Sequence, residues 1–214
     1  MKKLRLLVIC VPGFMVALPS AKANLLINGS FEAPTSNYRY VPGGSSLLSG
    51  WRTELNGVEI VTDKDIGVGF TYHSTIQDGK QMLDLAPYRY QGGGISQTFS
   101  TTPGLSYEVS FYASSVQSFG KNGTGSLTIS VDSIVQHLEL ITPRSDFDWK
   151  PYRFGFVASD TQATLKFVSM SDPFSQFAAI DNVSVVAVPE IPTLVMALAG
   201  VAGLGAFRRR NDVQ

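Results

Sequence analysis

Between Asn24 and Val188 short runs of side chains alternate in character at every second position, and no long helical period appears. Tyr107, Val109, Phe111 and Ala113 share one face of an extended chain, with Glu108, Ser110 and Tyr112 on the other. Leu127, Ile129 and Val131 alternate with Ser126, Thr128 and Ser130; Leu165 with Phe167, and Val183 with Val185, repeat the pattern. A period of two belongs to β-strands that bury one side, and Gly, Pro, Ser and Asn clusters punctuate the runs. Pro103-Gly104 reads as a turn, Asn122-Gly123 as a hairpin or loop. Gly92-Gly93-Gly94 reads as a loop, and no helix pattern follows it to make a phosphate cradle. The spacing predicts about nine to eleven strands, hence an all-β fold, an antiparallel β-sandwich. About 165 residues suffice for one domain with a substantial core. That core must hold without disulfides, because the one cysteine, Cys10, lies ahead of it.

Both ends of the chain carry addresses. Lys2, Lys3 and Arg5 precede an apolar run from Leu6 to Leu18, and Ala21-Lys22-Ala23 offers small residues for cleavage. Residues 1–23 therefore read as a secretory signal peptide, the mature chain starting at Asn24. At the other end, residues 188–214 begin Val188-Pro189-Glu190-Ile191-Pro192, continue with an uncharged run from Leu194 to Phe207, and close on Arg208-Arg209-Arg210. A helix over about 191–207 spans roughly 21–26 Å, short for a bilayer but workable with snorkelling arginines. Three glycines suit a membrane helix better than a soluble one, and the arginines favour the cytoplasmic side. The competing reading is a buried C-terminal core helix.

Charge and chemistry exclude several function classes. The termini hold seven basic residues and one acid, which leaves 10 basic and 16 acidic residues between Asn24 and Glu190, a net of −6. Such a module argues against a nucleic-acid partner. Only His73 and His137 are present, and neither has a nucleophile-elbow context. Asp63 with Asp65, or Asp146 with Asp148, would be glycosidase carboxylate pairs on paper, but charged, turn-like surroundings make them solvated loops. The chain therefore reads as non-catalytic.

Aromatic residues are more telling. Tyr38-Arg39-Tyr40 and Tyr88-Arg89-Tyr90 are twin tripeptides in loop-like surroundings. Flat rings and fixed guanidinium donors suit sugar rings and acidic polysaccharides, and Trp149 would extend such a platform. The plainer alternative is edge packing over sheet ends. Trp51, after Gly50, belongs in the core.

Two resemblances sharpen these expectations. Pro-Glu, a short apolar helix and a terminal Arg cluster resemble the PEP-CTERM sorting signal of Gram-negative bacteria, with Ile191 intervening where that signal usually reads Pro-Glu-Pro. The resemblance implies an exosortase-type membrane protease as partner, acting at Pro189, Glu190 and Pro192 with Arg208, Arg209 and Arg210 behind them. It also implies a cell-surface or matrix destination. The landmarks Asn28-Gly29-Ser30-Phe31-Glu32, Gly50-Trp51, Gly79 to Leu85, Gly94 to Phe99, Pro103 to Tyr107 and Asp181 to Val185 resemble, in their order, jelly-roll domains of galactose-binding-like fold, choice-of-anchor C group. Such modules commonly bind carbohydrate. The resemblance also implies a structural calcium held by Glu32, at the end of the first strand, and Asp181. Parity with Val183 and Val185 points Asp181 inward, and no basic residue lies within eight positions of it. Hydrogen bonding of both acids to loop amides without metal is the alternative. Three functions stay open: a carbohydrate-binding surface module, a purely structural matrix protein, and a secreted hydrolase.

Overall fold

The computed structural model describes residues 23–36, 39–63, 76–87, 90–115, 124–141, 148–171 and 178–188. Residues 1–22 of the expected signal peptide and residues 189–214 of the expected sorting tail lie outside them. Eleven strands run in order: β1 (Arg39–Val41), β2 (Arg52–Leu55), β3 (Val58–Thr62), β4 (Gln81–Asp84), β5 (Gly93–Ser100), β6 (Ser106–Ser114), β7 (Gly125–Val131), β8 (Ile134–Leu140), β9 (Lys150–Val157), β10 (Gln162–Ser169) and β11 (Ala179–Ala187). They form a six-stranded sheet, β1-β3-β4-β11-β6-β9, and a five-stranded sheet, β2-β5-β10-β7-β8. Every neighbouring pair is antiparallel. The chain changes sheet at most of its connections, which is the winding of a jelly roll.

The alternation expected over 107–113 is what closes the sandwich. On β6, Tyr107, Val109, Phe111 and Ala113 are buried while the residues between them stay half-exposed. Phe111 meets Phe167 of the opposite sheet edge-on, ring centres 5.0 Å apart, and stacks on Tyr152 at 5.5 Å. Burying each such side chain contributes about 1.5–3 kcal/mol, and the ring contacts add to it. Trp51 is in this core, tilted against Phe31 at 5.6 Å, its indole N–H donating to the Asn28 carbonyl.

Three details depart from the sequence reading. Gly93 and Gly94 open β5 instead of lying in a loop. The Gly93 and Gly94 backbones run against neighbouring carbonyls, where any side chain would overlap them. The segment before β1 is not a strand: Asn28 and Phe31 take positive φ values of 56° and 59°, and the chain turns there. Instead, residues 24–30 lie as a strap across the sandwich. Leu25 N–H donates to Val185 of β11, Val183 N–H to Gly29, and the Gln97 amide of β5 grips both the N–H and carbonyl of Ile27. Third, β11 carries a bulge between Asp181 and Ser184, with Asn182 at φ 50°. The extra residue inverts the parity, so Asp181 faces the side opposite to Val183 and Val185.

Candidate functional site

The outer side of the six-stranded sheet collects the residues singled out from sequence. Register pairs Tyr40 with Glu59, Glu59 with Asp84, Asp84 with Ala179 and Ala179 with Ser114. Lys150 pairs with Ala113, so the preceding residue, Trp149, continues the row past Ser114. One row thus crosses all six strands, with tyrosine at one end, tryptophan at the other, and two buried carboxylates between. Five strand spacings separate the ends, roughly 24 Å.

At the tyrosine end, Tyr40 and Tyr90 stack with ring centres 5.2 Å apart and planes 15° from parallel. They stay 36% and 46% exposed, which leaves ring surface open to solvent. Backbone geometry sets this corner. The Tyr40 hydroxyl donates to the Asn56 carbonyl, and the Asn56 amide donates to Gln91. Gly57, at φ +91°, brings its backbone so close to Val41 that a Cβ would overlap the carbonyl oxygen. Burial, then the charges of Tyr90 and Glu59, raise the Tyr40 phenol above its ordinary range, so it stays a neutral donor. The twin tripeptides are therefore brought together through their last residues. Arg39 is exposed on β1; Tyr38, Tyr88 and Arg89 lie outside the described residues. Trp149 is half-buried and packs with Met82, Ala179, Val61 and Ile76 in a small apolar cluster on this same face. It touches the row rather than the tyrosine pair.

The expected calcium pair, Glu32 and Asp181, meets around the turn that enters β4. Glu32 Oε1 accepts the N–H groups of Lys80 and Gln81. Asp181 accepts those of Asp78 and Asn182. The inward parity expected for Asp181 is overturned by the bulge; its carboxylate is nonetheless 0% exposed, because the 77–80 turn covers it. Burial above all, then the charges of Asp78 and Glu32, push its pKa up to about 7 against the pull of the two amides. The loop-amide alternative is thus present in the geometry. Among the described residues no three His, Cys, Asp or Glu side chains close into a metal-binding group. One observation fits a hard cation all the same: Gln77 Oε1, in this same turn, is buried without a hydrogen-bond partner. The sequence reading missed Gln77 and Asp78, since nothing in Gln-Asp-Gly tells a ligand turn from any other.

Elsewhere, His137 is exposed on β8 beside Thr128, and Asp148 pairs with Lys150 at 2.7 Å. His73, Asp65 and Asp146 lie outside the described residues, as do Pro189, Glu190, Pro192, Arg208, Arg209 and Arg210. Among the described residues no helix is long and apolar enough to cross a membrane. A hollow of about 340 Å³ on the other sheet, bordered by Trp51, Arg52, Ser96 and Gln97, holds none of the expected site residues.

The sequence model of DUF642, described as a protein of unknown function, matches residues 24–186. No curated protein matches the sequence. Among solved structures, the chain resembles TmCBM61 in complex with β-1,4-galactotriose, with a TM-score of 0.54 and 15% identity over 78% of this chain and 99% of that one. It also matches the CBM22-1 xylan-binding domain of Xyn10C from Paenibacillus barcinonensis, at a TM-score of 0.44 and 14% identity over 79% and 97% of the two chains. At such identities the likeness is one of fold.

Proposed function

We propose, for a chain that belongs to the DUF642 family, a non-catalytic role: binding polysaccharide outside the inner membrane, on the outer face of the six-stranded sheet. The observation that carries this reading is the half-exposed Tyr40–Tyr90 stack, joined by one cross-strand row to Glu59, Asp84 and Trp149. Aromatic faces cover the apolar faces of sugar rings. The fold supports it too, since a similar structure, TmCBM61, with a TM-score of 0.54, was solved in complex with β-1,4-galactotriose.

Affinity electrophoresis of the secreted chain against a polysaccharide panel that includes β-1,4-galactan and xylan tests it. Tyr90→Ala is expected to weaken retention on the polysaccharide that binds by about 1–3 kcal/mol. Retention unchanged in Tyr90→Ala and Tyr40→Ala, with both folded, retires this face. No retention on any polysaccharide leaves a structural role in the envelope or matrix.

A structural calcium ion at Glu32 and Asp181 is the second part of the proposal, supported by the orphaned Gln77 oxygen in the turn whose Asp78 N–H bonds Asp181. Oxygens of Glu32, Asp181 and nearby backbone carbonyls would hold the ion, which when bound would neutralise the two carboxylates and fix the turn. For the tail, the proposal is export with exosortase-type sorting at Pro189-Glu190.

A further inference from the structure

Among the described residues the two sheets end in four edge strands, β1, β9, β2 and β8. An edge strand presents unpaired N–H and carbonyl groups, and proteins usually blunt it by brevity, proline or lysine. β1 has three residues and β2 four. β9 carries Lys150, Pro151 and Arg153. β8 has none of these devices: it is seven residues long, Ile134–Leu140, without proline, lysine or arginine. Its pairing to β7 runs unbroken from Val131↔Ile134 to Gly125↔Leu140, so its other edge, unpaired among the described residues, is straight. Asp132 holds the β7–β8 turn in place by accepting the N–H and hydroxyl of Ser159.

The side chains along this edge complement themselves. Val135, His137 and Glu139 are exposed on one face, and Ile141, just beyond, continues their parity. Val135 and Ile141 are 54% and 67% exposed. His137 has Nδ1 at the Thr128 hydroxyl, which leaves Nε2 for another partner, and Glu139 forms no ion pair among the described residues. Antiparallel pairing of β8 with itself must put like faces together. A two-fold axis at His137 would set histidine on histidine and valine against glutamate. An axis at Leu138 instead sets Val135 against Ile141 and His137 against Glu139, each twice.

We propose that the chain forms a two-fold dimer through β8, paired antiparallel with β8 of a second copy about Leu138. The two five-stranded sheets become one continuous sheet of ten, an isologous contact by strand addition. This contact uses the opposite sheet from the tyrosine row and does not depend on glycan binding.

The test is register-specific cross-linking of the purified full chain in a Cys10→Ser background, with a short bifunctional thiol reagent. Cβ atoms of directly opposed residues lie about 4.5–5.5 Å apart. His137→Cys mixed with Glu139→Cys is expected to give a cross-linked dimer, and the double variant likewise, while each single variant alone gives none. Adding Val135→Lys to the double variant should abolish the band. A double variant that stays monomeric, or a His137→Cys chain that cross-links equally well alone, overturns the proposal.

Discussion

Asp181 allows the sharpest test, because its charge and the proposed ion oppose each other with pH. The carboxyl is 0% exposed and its pKa is pushed from 3.8 to about 7 by burial first, with Asp78 and Glu32 adding repulsion. The folded state therefore keeps a proton that the unfolded chain gives up. The stability this group contributes is present on the acid side and is lost as pH rises from about 4 towards 7. At 1.36 kcal/mol per tenfold, the ceiling is roughly 4 kcal/mol, or about 8–16 °C in Tm for a chain of this size. In chelator, the wild-type chain should melt higher at pH 5 than at pH 8, by more than Asp181→Asn does. The substitution isolates the group, because Glu54 is shifted the other way, lowered by the Ser96 hydroxyl and by Lys166. Added calcium should raise Tm at pH 8, less at pH 5, and not at all in Asp181→Asn. A steep wild-type profile without a calcium response retires the ion alone. Identical profiles for wild type and Asp181→Asn, both indifferent to calcium, refute the reasoning about this carboxylate altogether.

Other outcomes follow from packing and from the tail. Gly57→Ala, which forces a Cβ into the Val41 carbonyl at φ +91°, should cost roughly 2–4 kcal/mol by thermal melting and weaken polysaccharide retention with it. Phe111→Ala, at the junction of Tyr152 and Phe167, should cost about 3–5 kcal/mol; a loss under 1 kcal/mol would mean that the two sheets do not meet there. Intact-mass measurement of the surface fraction should show a C-terminus near Glu190; finding Arg208 to Arg210 still attached would leave a simple membrane anchor.

The long strands were legible because a period of two survives only where one face is buried, and β6, β7, β10 and most of β11 show it. The short strands β1 to β4 gave less signal. In β4, all four residues of Gln81–Asp84 are buried on both faces, so the pattern has no polar side to reveal it. The β11 bulge was missed because one inserted residue changes no composition; a left-handed Asn182 is its only local trace. The Tyr-Arg-Tyr twins were noticeable as a repeat. That their final tyrosines stack depends on Asn56 tying the β2–β3 turn to Gln91, a contact 35 residues apart. Gln77 and Asp78 acquire meaning only from the turn folding over Asp181.

The strap at the start of the described chain has a geometric consequence. Leu25 is bonded to Val185, so the N-terminal strap and the outgoing end of β11 leave the sandwich at one pole. The Tyr40–Trp149 row crosses β11 at Ala179, its other end. From Ala179 to Val188 is roughly 30 Å of extended strand. A chain held to a surface through either end of residues 23–188 would hang from the same pole in both cases. The tyrosine row lies on the outer sheet face near the opposite end of β11 from that pole.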